Sequence, residues 1–401
     1  MRPIRDTIAL DEARRLIAGA CLPIARTERI AILDANGRVA AATVQSSRDV
    51  PPFARASMDG YAVRAEDTFG ASRHEPKTLR MVDTVYTGQV PAIPVEPGTA
   101  IEIATGAPMP QGADAVVMVE ETERTGTDVR ILTPVYPRQN VGRQGADITI
   151  GQTVLSDGDV LNPSRIGALA ALGIADVDVY AKPTVAILST GNEIADPGEA
   201  LKPGQIYDIN RFTISTIVQE HGGVATRFAT AQDTVDALER ALDAALTCDV
   251  LVFSGGSSVG DRDLMLDVMA ARGEILFHGI AVKPGKPTVF GTIKGKPVFG
   301  LPGYPTSCLS NGYMLLAPAL RAIARLKPRI DATLTLPLAQ RIVSTTGRHQ
   351  FYTVRIADGQ AVPAFKASGD ITSMSQADGY IEIPAHTDIV EKGEMVEVKL
   401  F

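Results

Sequence analysis

The chain has 401 residues, 45 % of them apolar, which is too long for one ordinary core and apolar enough for about two to four domains. Its 46 acidic residues against 39 Lys and Arg give a net charge of −7, which argues against nucleic acid as the main partner while leaving room for a local basic pocket. No apolar run reaches membrane-spanning length, Met1–Asp6 lacks the apolar stretch of a signal peptide, and Cys21, Cys248 and Cys308 have neither disulfide-framework nor zinc-ligand spacing, so a reducing cytoplasm is expected.

Residues 6–45 read largely as helix, because Ile8, Leu10, Ala13, Leu16 and Ile17 recur near helical spacing and Asp11-Glu12 suit a first turn. Residues 46–150 are rich in Pro, Gly and Thr and carry short β-like runs (Leu79–Val85, Ala100–Ile103, Ala115–Glu120), the pattern of a small β-rich domain. Ile166, Leu169, Ala170 and Leu172 then mark a return to helix over 160–180, with Gly173 as a stop.

Strand and helix patterns alternate from about 181 to 327. Pro183–Thr190 is strand-like and closed by Gly191, and Ile214, Ile217, Val218 and His221 share a helical face ending at Gly222-Gly223. Val224–Thr230 is again strand-like, Val235, Leu238, Leu242 and Leu246 mark a helix, and Asp249–Phe253 another strand. Such alternation implies a mostly parallel sheet with helices on its faces. Only short β-like runs follow (Leu334–Leu336, Phe351–Ile356, Tyr380–Ile383, Met395–Leu400). The expected fold class is multidomain α/β plus β. Its parts are a helical linker domain (1–45 with 148–180), a β-rich domain (46–147), an α/β domain (181–327) and a small all-β domain (328–401).

The segment Leu251–Ser307 carries the densest chemistry. Leu251-Val252-Phe253 runs into Ser254-Gly255-Gly256-Ser257-Ser258-Val259-Gly260-Asp261-Arg262-Asp263, followed by Val282-Lys283-Pro284-Gly285-Lys286-Pro287 and Gly300-Leu301-Pro302-Gly303-Tyr304-Pro305-Thr306-Ser307. Glycines let backbone N–H groups approach an anion, the lysines add positive charge, and Asp261 and Asp263 could hold a divalent ion against phosphate oxygens. Gly-Gly and Pro-Gly pairs are also ordinary turn punctuation, so one such loop means little. Three together point to a phosphorylated small molecule, bound where open α/β sheets bind ligands.

Two motifs mislead. Gly256-Ser257-Ser258-Val259-Gly260 fits a hydrolase nucleophile elbow, with His278, His349 or His386 as the histidine, but the polar stretch Asp261–Asp263 delays the helix that should begin at the serine. Pro284-Gly285-Lys286-Pro287-Thr288 suggests a P-loop broken by Pro287.

From about residue 6 to the C-terminus the chain resembles the MoeA/gephyrin family of molybdenum insertases, the molybdopterin molybdenumtransferases. The resemblance rests on Pro51-Pro52-Phe53 with Met58-Asp59-Gly60-Tyr61-Ala62, Thr105-Gly106-Ala107-Pro108 and Gly112-Ala113-Asp114-Ala115-Val116-Val117. It continues through Ser189-Thr190-Gly191-Asn192-Glu193, Pro203-Gly204-Gln205-Ile206-Tyr207-Asp208 and the three loops above. It implies conversion of adenylylated molybdopterin and molybdate to molybdenum cofactor with release of AMP, dependence on Mg²⁺, and a homodimer. In that dimer the α/β domain of one subunit faces the β-rich domain of the other. Candidate protein partners are the molybdopterin adenylyltransferase and recipient molybdoenzymes, with neither nucleic acid nor membrane.

Carried over residue by residue, the resemblance implies catalytic roles for Asp59, Thr105, Asp147 and Glu193. It also carries over Lys283, Pro302, Pro305 and Ser373 for substrate, with Asp233 and Asp263, whose carboxylates can hold metal; the loop reading adds Gly255, Gly256, Ser257, Lys286 and Tyr304 as substrate-binding candidates. Plainer readings stand beside these: Asp59-Gly60 as a turn, Thr105-Gly106 as a strand end, and Asp233 as the cap of the helix begun by Val235. The chain departs from the family pattern in three places. Tyr304 stands where Asn is usual, Ala54 replaces an Asp, and Ala56-Ser57 replaces Ser-Ala, which leaves molybdate against tungstate open. Two other classes fit less of the chain: a non-catalytic molybdopterin-binding scaffold and a metal-dependent nucleotide pyrophosphatase.

Overall fold

The computed structural model describes residues 6–191, 193–228, 234–255 and 264–401. The chain forms two compact units, one built from Arg29–Asp178 and the other from the residues up to Glu28 together with Val179–Phe401.

The first unit is organised by a six-stranded sheet of β1 (Gly60–Val63), β2 (Lys77–Val85), β3 (Thr99–Ile103), β4 (Ala115–Met118), β5 (Thr122–Thr125) and β6 (Asp128–Ile131), in the order β4-β1-β3-β2-β6-β5. All neighbours are antiparallel except β2 and β3. Side chains alternate faces along a strand, and this sheet buries both. Tyr61, Val63, Ala115 and Val117 enter one core with Leu79, Val129 and Ile131, while Ala62, Val116, Ile101 and Ile103 enter the other with Val85 and Val95. β1 and β4 therefore read as continuous apolar runs.

Helix is scarcer here than the sequence pattern suggests. Within 6–45 it covers only Leu10–Ala20, which belongs to the second unit. It stops at Cys21, whose backbone is extended two residues before Pro23, and short strands (Thr27–Ala31, Val44–Gln45) and a 3₁₀ turn (Ile32–Asp34) follow. The other helix, Pro163–Ala171, is capped by Asn162, whose side chain accepts the Arg165 N–H at 2.9 Å, and ends before Gly173 at φ +74°. Asp176–Tyr180 after it is strand.

The second unit is built on a six-stranded sheet of β7 (Thr184–Ser189), β8 (Val224–Arg227), β9 (Val250–Ser254), β10 (Glu274–His278), β11 (Val289–Ile293) and β12 (Lys296–Leu301), ordered β8-β7-β9-β12-β11-β10. The first four are parallel and the last two antiparallel additions, so the mostly parallel expectation holds. Val185, Ile187, Val250 and Val252 pack beneath the helices Leu10–Ala20, Asn210–Glu220 and Ala317–Ile323. Ala186, Leu188, Leu251 and Phe253 pack beneath Val235–Ala245 and Leu264–Arg272.

The remaining sheet comprises β13 (Thr333–Pro337), β14 (His349–Ala357), β15 (Gln360–Pro363), β16 (Gly379–Ile383) and β17 (Met395–Leu400). Its order is β14-β16-β17-β13, and β15 and the short strand Val282–Lys283 both pair with the edge of β14 opposite β16. Glu382 on β16 accepts from His349 Nε2 at 3.1 Å and Lys399 Nζ at 2.9 Å. The His349 bond, then that of Lys399 and its charge, push this half-buried carboxyl down to about 2 against desolvation. A folded value below the unfolded one stabilises above the ordinary carboxylate range, and that stability is lost as pH falls from about 4.5 towards 2. Glu382→Gln is expected to cost about 2–3 kcal/mol at pH 7 and to flatten the acid limb of thermal stability in that window, read by calorimetry from pH 7 to 2.

Candidate functional site

In the second unit, three strands end level. Ser189 is in register with Ser254 and Ser254 with Leu301, so Thr190-Gly191, Gly255 and Pro302-Gly303 emerge side by side at the carboxyl edge of the parallel strands. The Thr190 N–H donates to the Ser254 carbonyl at 3.2 Å. Gly255 has φ +95°, and a Cβ there would lie 2.6 Å from the Thr190 carbonyl oxygen. One on Gly303 would touch the Gly255 Cα at 3.5 Å, and the Asn210 amide holds the Gly303 carbonyl at 2.8 Å. The edge is thus built of backbone packed on backbone, open to close approach by a ligand.

Glu193 stands beside it. Its carbonyl accepts the Ile206 N–H at 2.8 Å as Ile194–Ala195 pairs with Ile206–Tyr207, and its exposed carboxylate folds back over Gly191. Behind lie Asp208, Asn210 and Arg211, all buried. The Arg211 N–H donates to Asp208 Oδ1 at 2.9 Å, its guanidinium pairs with Asp208 at 3.3 Å and with Asp196, and burial pulls its pKa down. Ser189 Oγ, Thr190 Oγ1 and Asn210 Oδ1 are buried there without a hydrogen-bond partner among the described residues. Sequence reasoning misses Thr190, Asn210 and Arg211 as site residues. The compact polar run Asp208-Ile209-Asn210-Arg211 at a helix start is the signal that could have found them.

The lysine loop leaves β14's edge. Lys283 donates through Nζ to Thr345 Oγ1 at 2.7 Å, and neither Lys283 nor Lys286 is fully buried. The Ile280 and Thr288 N–H groups both donate to the Lys286 carbonyl, at 3.0 and 2.9 Å, closing the turn. Pro302 is buried, whereas Tyr304 is 68 % exposed, its ring edge against Gly369. Tyr304 precedes the helix Pro305–Asn311, and Thr306 fixes that helix start to the 368–370 loop by donating to the Ser368 and Asp370 carbonyls at 3.0 and 2.9 Å. Ser373 is wholly buried, and its hydroxyl accepts the Lys366 N–H at 3.0 Å, which braces this loop and leaves its own O–H to donate. Gly256, Ser257, Asp233 and Asp263 lie outside the described residues, and among those described no group of three His, Cys, Asp or Glu side chains is placed for a metal.

In the first unit, Asp59 and Thr105 meet. Asp59 precedes β1 and Thr105 follows the antiparallel β3, and Asp59 Oδ1 accepts both the Thr105 N–H at 2.7 Å and its hydroxyl at 2.9 Å. Those two bonds, the backbone one first, lower the carboxyl's pKa although it is solvent-exposed. Asp147 is exposed on a separate loop, held by its N–H to the Val50 carbonyl at 3.0 Å.

Three family models match in order along the chain: the MoeA N-terminal region (domain I and II) over residues 8–173, a probable molybdopterin binding domain over 186–322, and the MoeA C-terminal region (domain IV) over 335–401. The chain belongs to the MoeA family. It is 34 % identical to the molybdopterin molybdenumtransferase 2 of Mycobacterium tuberculosis over 97 % of this chain and 98 % of that protein. It is also 34 % identical to a putative molybdopterin biosynthesis protein of Methanocaldococcus jannaschii, over 94 % of this chain and 92 % of the other. Among solved structures, a MoeA protein of Pyrococcus horikoshii superposes with TM-score 0.82 at 32 % identity, covering 99 % of this chain and 100 % of that one. Asp59, Thr105 and Asp147 fall within the MoeA N-terminal match, the level strand ends with Glu193, Lys283 and Lys286 within the molybdopterin binding domain, and Ser373 within the MoeA C-terminal match.

Proposed function

We propose that this chain transfers molybdenum from molybdate to adenylylated molybdopterin, releasing AMP and forming molybdenum cofactor. The observation that carries the reading is the glycine-bearing carboxyl edge of β7, β9 and β12 (Gly191, Gly255 and Gly303), bordered in sequence by the two-lysine turn and lying inside the region that matches a molybdopterin binding domain. Backbone N–H groups at such an edge suit phosphate oxygens, and Lys283 and Lys286 neutralise phosphate or the molybdate oxyanion. Glu193, and Asp59 held by Thr105, supply carboxyl oxygens to a reaction whose main needs are alignment and charge control. Mg²⁺ is part of the proposal. Asp233 and Asp263 sit in the chain segments that follow β8 and β9, and their hard oxygen donors suit a cation that would offset phosphoanhydride charge.

The test is AMP release from adenylylated molybdopterin with and without molybdate, together with assay of the cofactor formed. Molybdate-dependent release supports transfer. Release indifferent to molybdate identifies a pyrophosphatase, and binding without release a scaffold. We further propose that the working form is a homodimer in which Asp59 and Thr105 of one subunit serve the Lys283 loop of the other. Mixing inactive Asp59→Asn and Lys283→Ala chains should then restore about a quarter of native activity, since subunit exchange leaves half the dimers mixed and one of their two clefts intact. No recovery after confirmed exchange would assign the whole site to one chain.

A further inference from the structure

The lysine loop and the Pro302–Tyr304 loop are joined by one buried amide. Asn311, with no exposed surface, ends the helix Pro305–Asn311 that begins at the Pro302–Tyr304 loop. Its Nδ2 donates to the Gly285 carbonyl at 2.9 Å and to Thr288 Oγ1 at 2.5 Å, and Thr288 Oγ1 in turn donates to the same Gly285 carbonyl at 2.8 Å. The Gly285 carbonyl can only accept, so the nitrogen of the amide has to face it. Gly285 has φ +101°, and a Cβ there would collide with Asn311 Nδ2 and lie 2.7 Å from its Cγ, so the amide fills the space a side chain would need. Gly285 lies between Lys283 and Lys286. A turn of π-helix, Gly312–Leu316, starts immediately after Asn311, a local irregularity common beside functional sites.

We propose that Asn311 is a positioning residue for oxyanion binding: through Gly285 and Thr288 it fixes the backbone on which Lys283 and Lys286 are presented. The helix Pro305–Asn311 then acts as a spacer, tied to the 368–370 loop at its start through Thr306 and to the lysine turn at its end through Asn311. This rests on the reading of the lysine loop as the oxyanion site. It adds that the register of both lysines is set from below by groups that never meet the substrate.

Steady-state kinetics of the full chain separate the two claims. Asn311→Asp keeps the shape but turns a donor into an acceptor facing a carbonyl, and Thr288→Val removes the second arm. Each is expected to raise KM for molybdate or adenylylated molybdopterin about tenfold, the loss of one or two buried hydrogen bonds, with kcat changed by less than about threefold. Thr288→Ser, which keeps the hydroxyl, should recover most of what Thr288→Val loses. Thermal melts run alongside, and Thr288→Val decides the matter if Asn311→Asp does not fold. Unchanged KM in folded Thr288→Val, while Lys286→Ala raises it, would overturn the positioning role alone. Unchanged KM in Lys286→Ala would overturn the oxyanion reading of the loop and this inference with it.

Discussion

Asp59→Asn is expected to reduce molybdate-dependent AMP release by about 100-fold or more while leaving the thermal midpoint within about 2 °C of native. The reason lies in how the carboxylate is held. One oxygen accepts both bonds from Thr105, and asparagine can present its carbonyl oxygen to the same two donors. The substitution therefore removes the charge and the second oxygen but keeps the local geometry. Asp59 is exposed, so little packing is lost. Thr105 also keeps the acid ionised to lower pH than an ordinary aspartate. Activity that depends on the Asp59 charge should fail only below the usual carboxylate range, and Thr105→Val should move that acid limb upward. Glu193→Gln should behave similarly, since its carboxylate is exposed over Gly191. Native turnover by either variant would remove that residue from the chemistry.

Much of this site is legible in the sequence because its signals are local. Gly191 and Gly255 have positive φ, and the apolar runs ending at Ser189 and Ser254 lie inside single parallel strands, so pattern and geometry agree. What escapes is tertiary. Asn210 meets Gly303 across 93 residues and Asn311 meets Gly285 across 26, and an isolated asparagine at a helix end carries no sign of either partner. Ser373 is tertiary in the same way, since nothing in its motif signals that it is wholly buried or that its hydroxyl accepts the Lys366 N–H. Residues 27–45 read as helix only if the spacing at Ile8–Ile17 is extended past Pro23, where the chain turns to short strands stabilised by pairing rather than by their own propensity.

Gly60→Ala should abolish activity by a different route from its neighbour Asp59. Gly60 lies on β1, which has β4 on one side and β3 on the other, and pairs with Met118 and Ile103. A Cβ at this position would collide with the Val117 carbonyl oxygen and sit 2.9 Å from its carbon. These are backbone atoms of β4, so no rotamer change can relieve the clash. Either the β1–β4 ladder opens or β1 shifts, and both displace Asp59, whose carbonyl receives the Val119 N–H at 3.0 Å. Overpacking of this kind costs about 3 kcal/mol, which in a unit of this size lowers its melting transition by about 6–12 °C. Gly167→Ala supplies the matched control in the same unit. Gly167 lies in the helix Pro163–Ala171 with nothing within 4 Å of the position a methyl group would take, and alanine there should raise stability by about 0.5–1 kcal/mol. Calorimetry with parallel AMP-release assays reads both. A Gly60→Ala chain that melts like native would mean that β4 yields without cost, and the close approach would then explain nothing about why glycine follows Asp59.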